Sequence, residues 1–324
     1  VSKRYAIVSI GTNSTRALLA DVEPDQPRIE LARAIGTRLG EGLGERGSLG
    51  DEPMQRTLDA VAQLVRAVRG HYLRLFAIGT SALRRAENGE EFAERVQALL
   101  GVPLRVLSGE EEAAASYRGA LTALGELRGE RVAVVDAGGG STECAVGTSV
   151  SPEKVVSCEI GAVRLTEAVP ALAGRDGPVD EATVSRASGI ARDALKPLAE
   201  CAPVERVALV GGTATTTAAI ARGKPAPITS YALKRGDLQR TLERLLKMNL
   251  DERKKVVGMK PQRADILPAG IIVLDAALDT LGRDEAIATT ADLLLGILMQ
   301  ERDAAGGQRQ VLPTESETLR GHRE

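Results

Sequence analysis

A run of apolar, β-branched residues that breaks into glycine and then resumes as a second apolar run occurs twice in this chain, and the repeat narrows the folds open to it. In Val132–Cys144 (VAVVDAGGGSTEC) an aliphatic run leads into Asp136, three consecutive glycines, Ser141, Thr142 and Glu143. The run has the length and branching of a buried strand, and glycine lacks the Cβ that would hold backbone N–H groups away from an anion. Read alone, the same letters also fit a glycine-rich hairpin carrying two solvated acids. Near the N-terminus Ala6–Ile10 runs into Gly11-Thr12-Asn13-Ser14 and Arg16, and Ala17–Ala20 then follows as Cys144–Val146 follows the later turn. Two copies of one strand-turn-strand device point to a duplicated domain whose halves face each other across a cleft and grip a phosphate from both sides.

The chain's 324 residues, 43% of them hydrophobic, are enough for two domains with separate cores. Its 42 basic and 44 acidic residues leave a net charge of −2, so no global attraction to nucleic acid or to a membrane is expected. An anion site must be a local concentration of charge. No apolar run reaches the length of a membrane span, and Val1-Ser2-Lys3-Arg4 enters the first strand directly, as expected of a cytoplasmic protein. Cys144, Cys158 and Cys201 lack metal-ligand spacing, and the only histidines, His71 and His322, cannot cluster with them. This argues against zinc chemistry and histidine catalysis, and Cys144 is expected to be a small buried strand residue rather than a nucleophile.

Strands and helices alternate along the chain, the pattern of an α/β fold. Strands are expected at Arg28–Leu39, Leu73–Ile78, Leu104–Leu107, Lys154–Ile160 and Val204–Val210. Helices are expected after Pro53, after Asn88 as a cap with Gly101 as the stop, and after Ser108-Gly109, where Glu110, Glu111 and Glu112 fill the first turn. Others are expected over Gly161–Val169, after Pro178 and Asp180, from Thr215, and across the mostly apolar Ile266–Leu278. This reading places one domain at 1–124, a second at 125–289, a segment 290–303 packing back on the first, and a disordered tail over 304–324.

In chain order, Ile10–Arg16, Gly79–Arg84, Ser108–Ala113, Asp136–Glu143, Gly161–Glu167, Gly211–Thr216 and Arg263–Gly270 resemble the motifs of the exopolyphosphatase and guanosine pentaphosphate phosphohydrolase (Ppx/GppA) family, a branch of the actin, Hsp70 and sugar-kinase superfamily. The resemblance covers residues 5 to 300 and implies the short, two-domain type: two actin-like (ribonuclease H-like) domains facing each other across a cleft. It implies hydrolysis of the terminal phosphoanhydride bonds of inorganic polyphosphate, with guanosine pentaphosphate or tetraphosphate as a further ligand, in a cytoplasmic homodimer. Glu112 matches the carboxylate that orients or deprotonates water, with Glu111 as its close rival, and Arg84 matches a phosphate-binding arginine. Asn13, Ser14, Arg16, Gly138, Gly139, Gly140 and Ser141 fall at phosphate-binding positions. Asp136 and Glu143 fall at those of a magnesium site, with manganese as a substitute.

From the residues alone, three successive glutamates favour a helix N-terminus over a catalytic role, and Gly211-Gly212-Thr213 fits either close packing or a further phosphate on helix amides. Two positions depart from the family pattern. Ser9 stands where relatives carry an aspartate, which shifts expected metal binding onto Asp136 and Glu143. Thr290–Gly296 stands where many relatives carry an arginine-containing segment. Ser9 also motivates an alternative expectation, a sensor that binds polyphosphate or an alarmone with weak or no hydrolysis.

Overall fold

The computed structural model describes residues 3–23, 26–127, 129–224 and 230–307. Its organising feature is the same strand order built twice. In the first lobe β1 (Arg4–Ile10), β2 (Ser14–Asp21) and β3 (Arg28–Gly36) form an antiparallel meander, and β4 (Arg74–Gly79) and β5 (Leu104–Val106) add in parallel on the far side of β1. In the second lobe β6 (Val132–Ala137), β7 (Thr142–Gly147) and β8 (Lys154–Cys158) repeat the meander. There β9 (Arg206–Val210) lies parallel to β6, followed by β11 (Glu285–Ala288) and an antiparallel edge strand, β10 (Tyr231–Lys234). The sheet orders are β3-β2-β1-β4-β5 and β8-β7-β6-β9-β11-β10. β1 and β6 are central and almost wholly buried, which is why both read as continuous apolar runs rather than alternating ones.

Each lobe has its own core. The larger joins β6, β7 and β9 to the Glu181–Leu195 and Leu267–Thr280 helices, and burial of nearly every face of the latter explains its unbroken apolar composition. Two helices tie the lobes together. The Gly109–Ala123 helix starts beside the first sheet but packs Ala113, Tyr117, Ala120 and Leu121 against Val132, Val134 and Ala145 of the second. The Leu293–Gly307 helix returns to the first lobe, where Leu294, Leu295 and Leu298 meet Ile7, Leu18 and Ala20.

Several boundaries differ from the sequence reading, each for a local reason. β3 stops at Gly36 rather than Leu39, because Thr37 and Arg38 donate their N–H groups to the carbonyl of Asn13. Asn88 stands at the N-cap position but does not cap: its amide is engaged with both the N–H and the C=O of Leu49. The helix expected from Thr215 begins at Gly211. The last helix runs through Gly307, past Ala304, while residues 308–324 lie outside the described residues. All three cysteines are buried and free. No helix among the described residues is long and apolar enough to cross a membrane.

Candidate active site

The two glycine turns meet face to face between the lobes, and each is folded the same way. Gly11 N–H closes on the carbonyl of Ser14, and Gly138 N–H closes on that of Ser141, at 3.1 and 3.0 Å. The turn carbonyls are then tied backward: Gly40 N–H reaches Thr12 and those of Thr37 and Arg38 reach Asn13, while those of Ala162, Val163 and Arg164 reach Gly138 and Gly139. Among the described residues, the amides of Thr12, Asn13, Gly139 and Gly140 donate to no other backbone group. Both turns therefore conceal acceptors and offer donors, the polarity an anion requires.

Side chains extend this donor surface. Asn13 is 5% exposed and Ser81 2%, and neither the Asn13 amide nor the Ser81 hydroxyl has a partner among the described residues, though both line the cleft. A buried polar atom without a partner is costly, and one in a ligand cleft marks a place the ligand would satisfy. The turns approach so closely that glycine is required on the second: a Cβ on Gly139 would lie 3.0 Å from Thr12 Cβ, and one on Gly140 2.7 Å from Ser81 Oγ.

The carboxylates are placed by elements of both lobes. Ser108 caps the Gly109–Ala123 helix in a capping box with Glu111, and Glu110 accepts from the Ser108 hydroxyl. Two of the three glutamates are thus engaged at the helix start, and Glu112 is the one turned into the cleft. Its Oε1 accepts from Arg84 Nη1 at 2.6 Å, and the same nitrogen donates to Leu107 O at 2.5 Å, leaving buried Nη2 without a partner among the described residues. Asp136 and Glu143 are direct cross-strand partners on β6 and β7. Ser116 Oγ donates to Asp136 Oδ2 at 2.8 Å, Ser157 Oγ to Glu143 Oε1 at 3.2 Å, and Gly211 at φ +82° lets the backbone close on Asp136 Oδ1.

Burial pushes the Glu112 carboxyl up to about 7, with Arg84 pulling the other way and Asp136 adding repulsion. Burial, and then the charge of Asp292, push Asp136 up to about 6. Glu143 is pushed well above the usual carboxylate range by burial and by Glu112 and Asp136. Too much negative charge is crowded into one place for all three groups to ionise readily, the environment a hard divalent cation relieves.

No group of three or more potential metal ligands occurs among the described residues. Two adjacent carboxylates fit magnesium, which keeps several of its waters, and do not form an all-protein cage. Ser9, 4% exposed, lines the same cleft without adding charge.

Arg16 lies at the cleft but is engaged: its Nη2 donates to Asp292 Oδ2 at 2.6 Å. Ser14, Gly138 and Ser141 line the cleft, whereas Arg84 reaches it through Glu112. Two residues given no role in the sequence reading belong here as well. Asp292 is brought in by the start of the returning helix, and the Arg263 guanidinium packs against Gly212, where any Cβ would collide with it. Arg263 stood within a recognised motif, so its signal was present. Asp292 lay in the departing segment Thr290–Gly296, but nothing there paired it with Arg16, which is far away in sequence.

Two lobes of one topology, paired donor turns and a crowded acidic wall define an actin-like phosphohydrolase. The chain belongs to the Ppx/GppA phosphatase family, whose model matches residues 21–303. It is 33% identical to "Exopolyphosphatase 2" of Mycobacterium tuberculosis over 91% of this chain and 98% of that one. It is 30% identical to a guanosine-5'-triphosphate,3'-diphosphate pyrophosphatase of Vibrio parahaemolyticus over 93% of its own length, spanning 60% of that longer protein. The solved PPX-GPPA enzyme of Aquifex aeolicus superposes with a TM-score of 0.76 at 29% identity, covering 93% of this chain and all of that one.

Proposed function

We propose that the protein removes terminal orthophosphate from inorganic polyphosphate by phosphoanhydride hydrolysis, and that guanosine pentaphosphate is a second substrate. The observation that carries this reading is the meeting, in one cleft, of two donor turns from opposite lobes with the Arg84-held carboxylate of Glu112 beside them. The names of the mycobacterial and Vibrio relatives support the two substrates.

Phosphoryl transfer requires a positioned water, neutralised equatorial oxygens and a leaving phosphate held in line. The terminal phosphoryl group sits between the turns, where the amides of residues 12–13 and 139–140, Asn13 and Ser81 donate to it. Glu112 accepts a proton from the attacking water. Arg84 holds that carboxylate in place, and its Nη2, without a partner among the described residues, would be the nitrogen free to donate to the phosphate. Asp136 and Glu143 would hold magnesium, which would supply neutralisation of the charge on the phosphoryl group.

Phosphate release from polyphosphates of graded length, guanosine pentaphosphate and ATP, measured with magnesium, tests the proposal. Release from the first two in preference to ATP is expected. Binding of polyphosphate with no release from any of them would leave a sensor in its place.

A further inference from the structure

The catalytic cleft opens on two sides, and the openings have opposite charge. One, of about 450 Å³, continues from Thr12 and Asn13 and is acidic, its two arginines, Arg38 and Arg175, outnumbered by five carboxylates. The other, of about 370 Å³, continues from Arg16, Gly211, Gly212 and Arg263 into a space between β2–β3 and residues 260–263. Among the described residues its charged lining is Arg16, Arg33, Lys260 and Arg263 against Asp292 alone. The lobes touch at its rim, where a Cβ on Gly36 would lie 3.1 Å from the Gln262 side chain.

Asp292 is already paired with Arg16. Among the described residues, Arg33, Lys260 and Arg263 form no ion pair and their side chains make no hydrogen bond with protein, although ion pairs are common elsewhere on the surface. Cations gathered from two lobes repel one another, and burial with the charge of Arg16 holds Arg263 down at about 10. Such an arrangement gains most from a ligand that carries a charge at each step along its length.

Resting on the activity proposed above, we infer that Lys260, Arg33 and Arg263 form a second subsite, which takes the internal phosphates of a linear polyphosphate while its terminal phosphate lies between the glycine turns. The chain then leaves the catalytic pocket through the cationic opening, and the acidic opening excludes it. Arg263, against Gly212 at the junction, spans the two sites. Because the subsite draws on both lobes, a long substrate bridges them where a short one does not.

The test compares wild type with the Lys260→Ala/Arg33→Ala double variant on long-chain polyphosphate and on tripolyphosphate. The KM for the long chain should rise roughly tenfold more than the KM for tripolyphosphate, the scale of lost charge-assisted contacts. The log–log dependence of long-chain KM on salt should flatten by about one for each cation removed. Lys260→Arg/Arg33→Lys, which keeps both charges, should restore the salt dependence. A double variant that hydrolyses long chains with the wild-type KM ratio and salt slope overturns the subsite alone. A wild-type protein that neither binds nor hydrolyses polyphosphate overturns the activity reading, and the subsite with it.

Discussion

At the scale of single residues, Glu112 concentrates the consequences. If it deprotonates the attacking water, Glu112→Gln lowers kcat by roughly 10²- to 10⁴-fold while polyphosphate binding, followed by calorimetry, persists. Wild-type turnover in that variant would remove Glu112 from the chemistry. Its carboxyl is pushed up to about 7 by burial, and Arg84 is the neighbour that opposes the shift. The rate should therefore rise with pH as Glu112 ionises, and Arg84→Ala should move this acidic limb to higher pH in a kcat/KM profile. An unmoved limb would mean that Arg84 does not set the carboxylate's charge. The same shift has a stability counterpart. A carboxyl whose folded pKa stands above its ordinary 4.5 contributes stability that is complete below that value and lost as pH rises through about 7. The melting temperature of Glu112→Gln should accordingly gain on that of the wild type between about pH 5 and about pH 8.

At the scale of elements, two helices cross through glycine. A Cβ on Gly119 of the Gly109–Ala123 helix would strike the carbonyl of Asp292, and one on Gly296 of the Leu293–Gly307 helix would strike the carbonyl of Ala115. Backbone cannot yield as a side-chain tip does, so Gly119→Ala and Gly296→Ala should each cost about 1–3 kcal/mol in urea unfolding. Gly189, in the Glu181–Leu195 helix, has no atom of the described residues within 4 Å of its Cβ position, and Gly189→Ala should instead stabilise by about 0.5–1 kcal/mol. Equal effects at the three positions would mean that helix propensity, not the crossing, decides. The crossing also shows what sequence can and cannot convey. The helix start after Ser108-Gly109 was open to reading because its acidic first turn is local in sequence, and β1 and β6 because full burial makes a strand continuously apolar. The short β10 and β11 have no such run, and Leu293–Gly307 is apolar on too many faces to declare a direction. Arg16 could be read as a free cation at the first turn because nothing nearby in sequence announces Asp292, which the helix crossing alone delivers to it.

At the scale of the molecule, the lobes share the apolar packing of the Gly109–Ala123 helix, whereas the links across the mouth of the cleft are polar, so closure there is adjustable where each lobe's core is not. On the acidic side Arg38 Nη2 lies 2.7 Å from Asp265 Oδ2, and Gly42 N–H donates to Glu167 at 2.9 Å. Arg38 holds its loop at φ 50°, a left-handed conformation uncommon outside glycine, which aims its side chain across the interface. Asp265 is 4% exposed, and its Oδ1 has no partner among the described residues, so removing Arg38 leaves a buried charge facing the interface. The arrangement least costly to that charge is one in which water reaches it, which requires the lobes to part. Arg38→Ala should therefore enlarge the radius of gyration of the ligand-free protein in small-angle scattering. Long polyphosphate, bridging the lobes from the opposite opening, should restore most of the compact value, while orthophosphate should not. KM should rise more than kcat falls, because the variant must close before the two donor turns share one phosphate. An unchanged radius together with an unchanged KM would show that closure is fixed by the packing of the two shared helices, and that the Arg38–Asp265 pair follows the lobes rather than holding them.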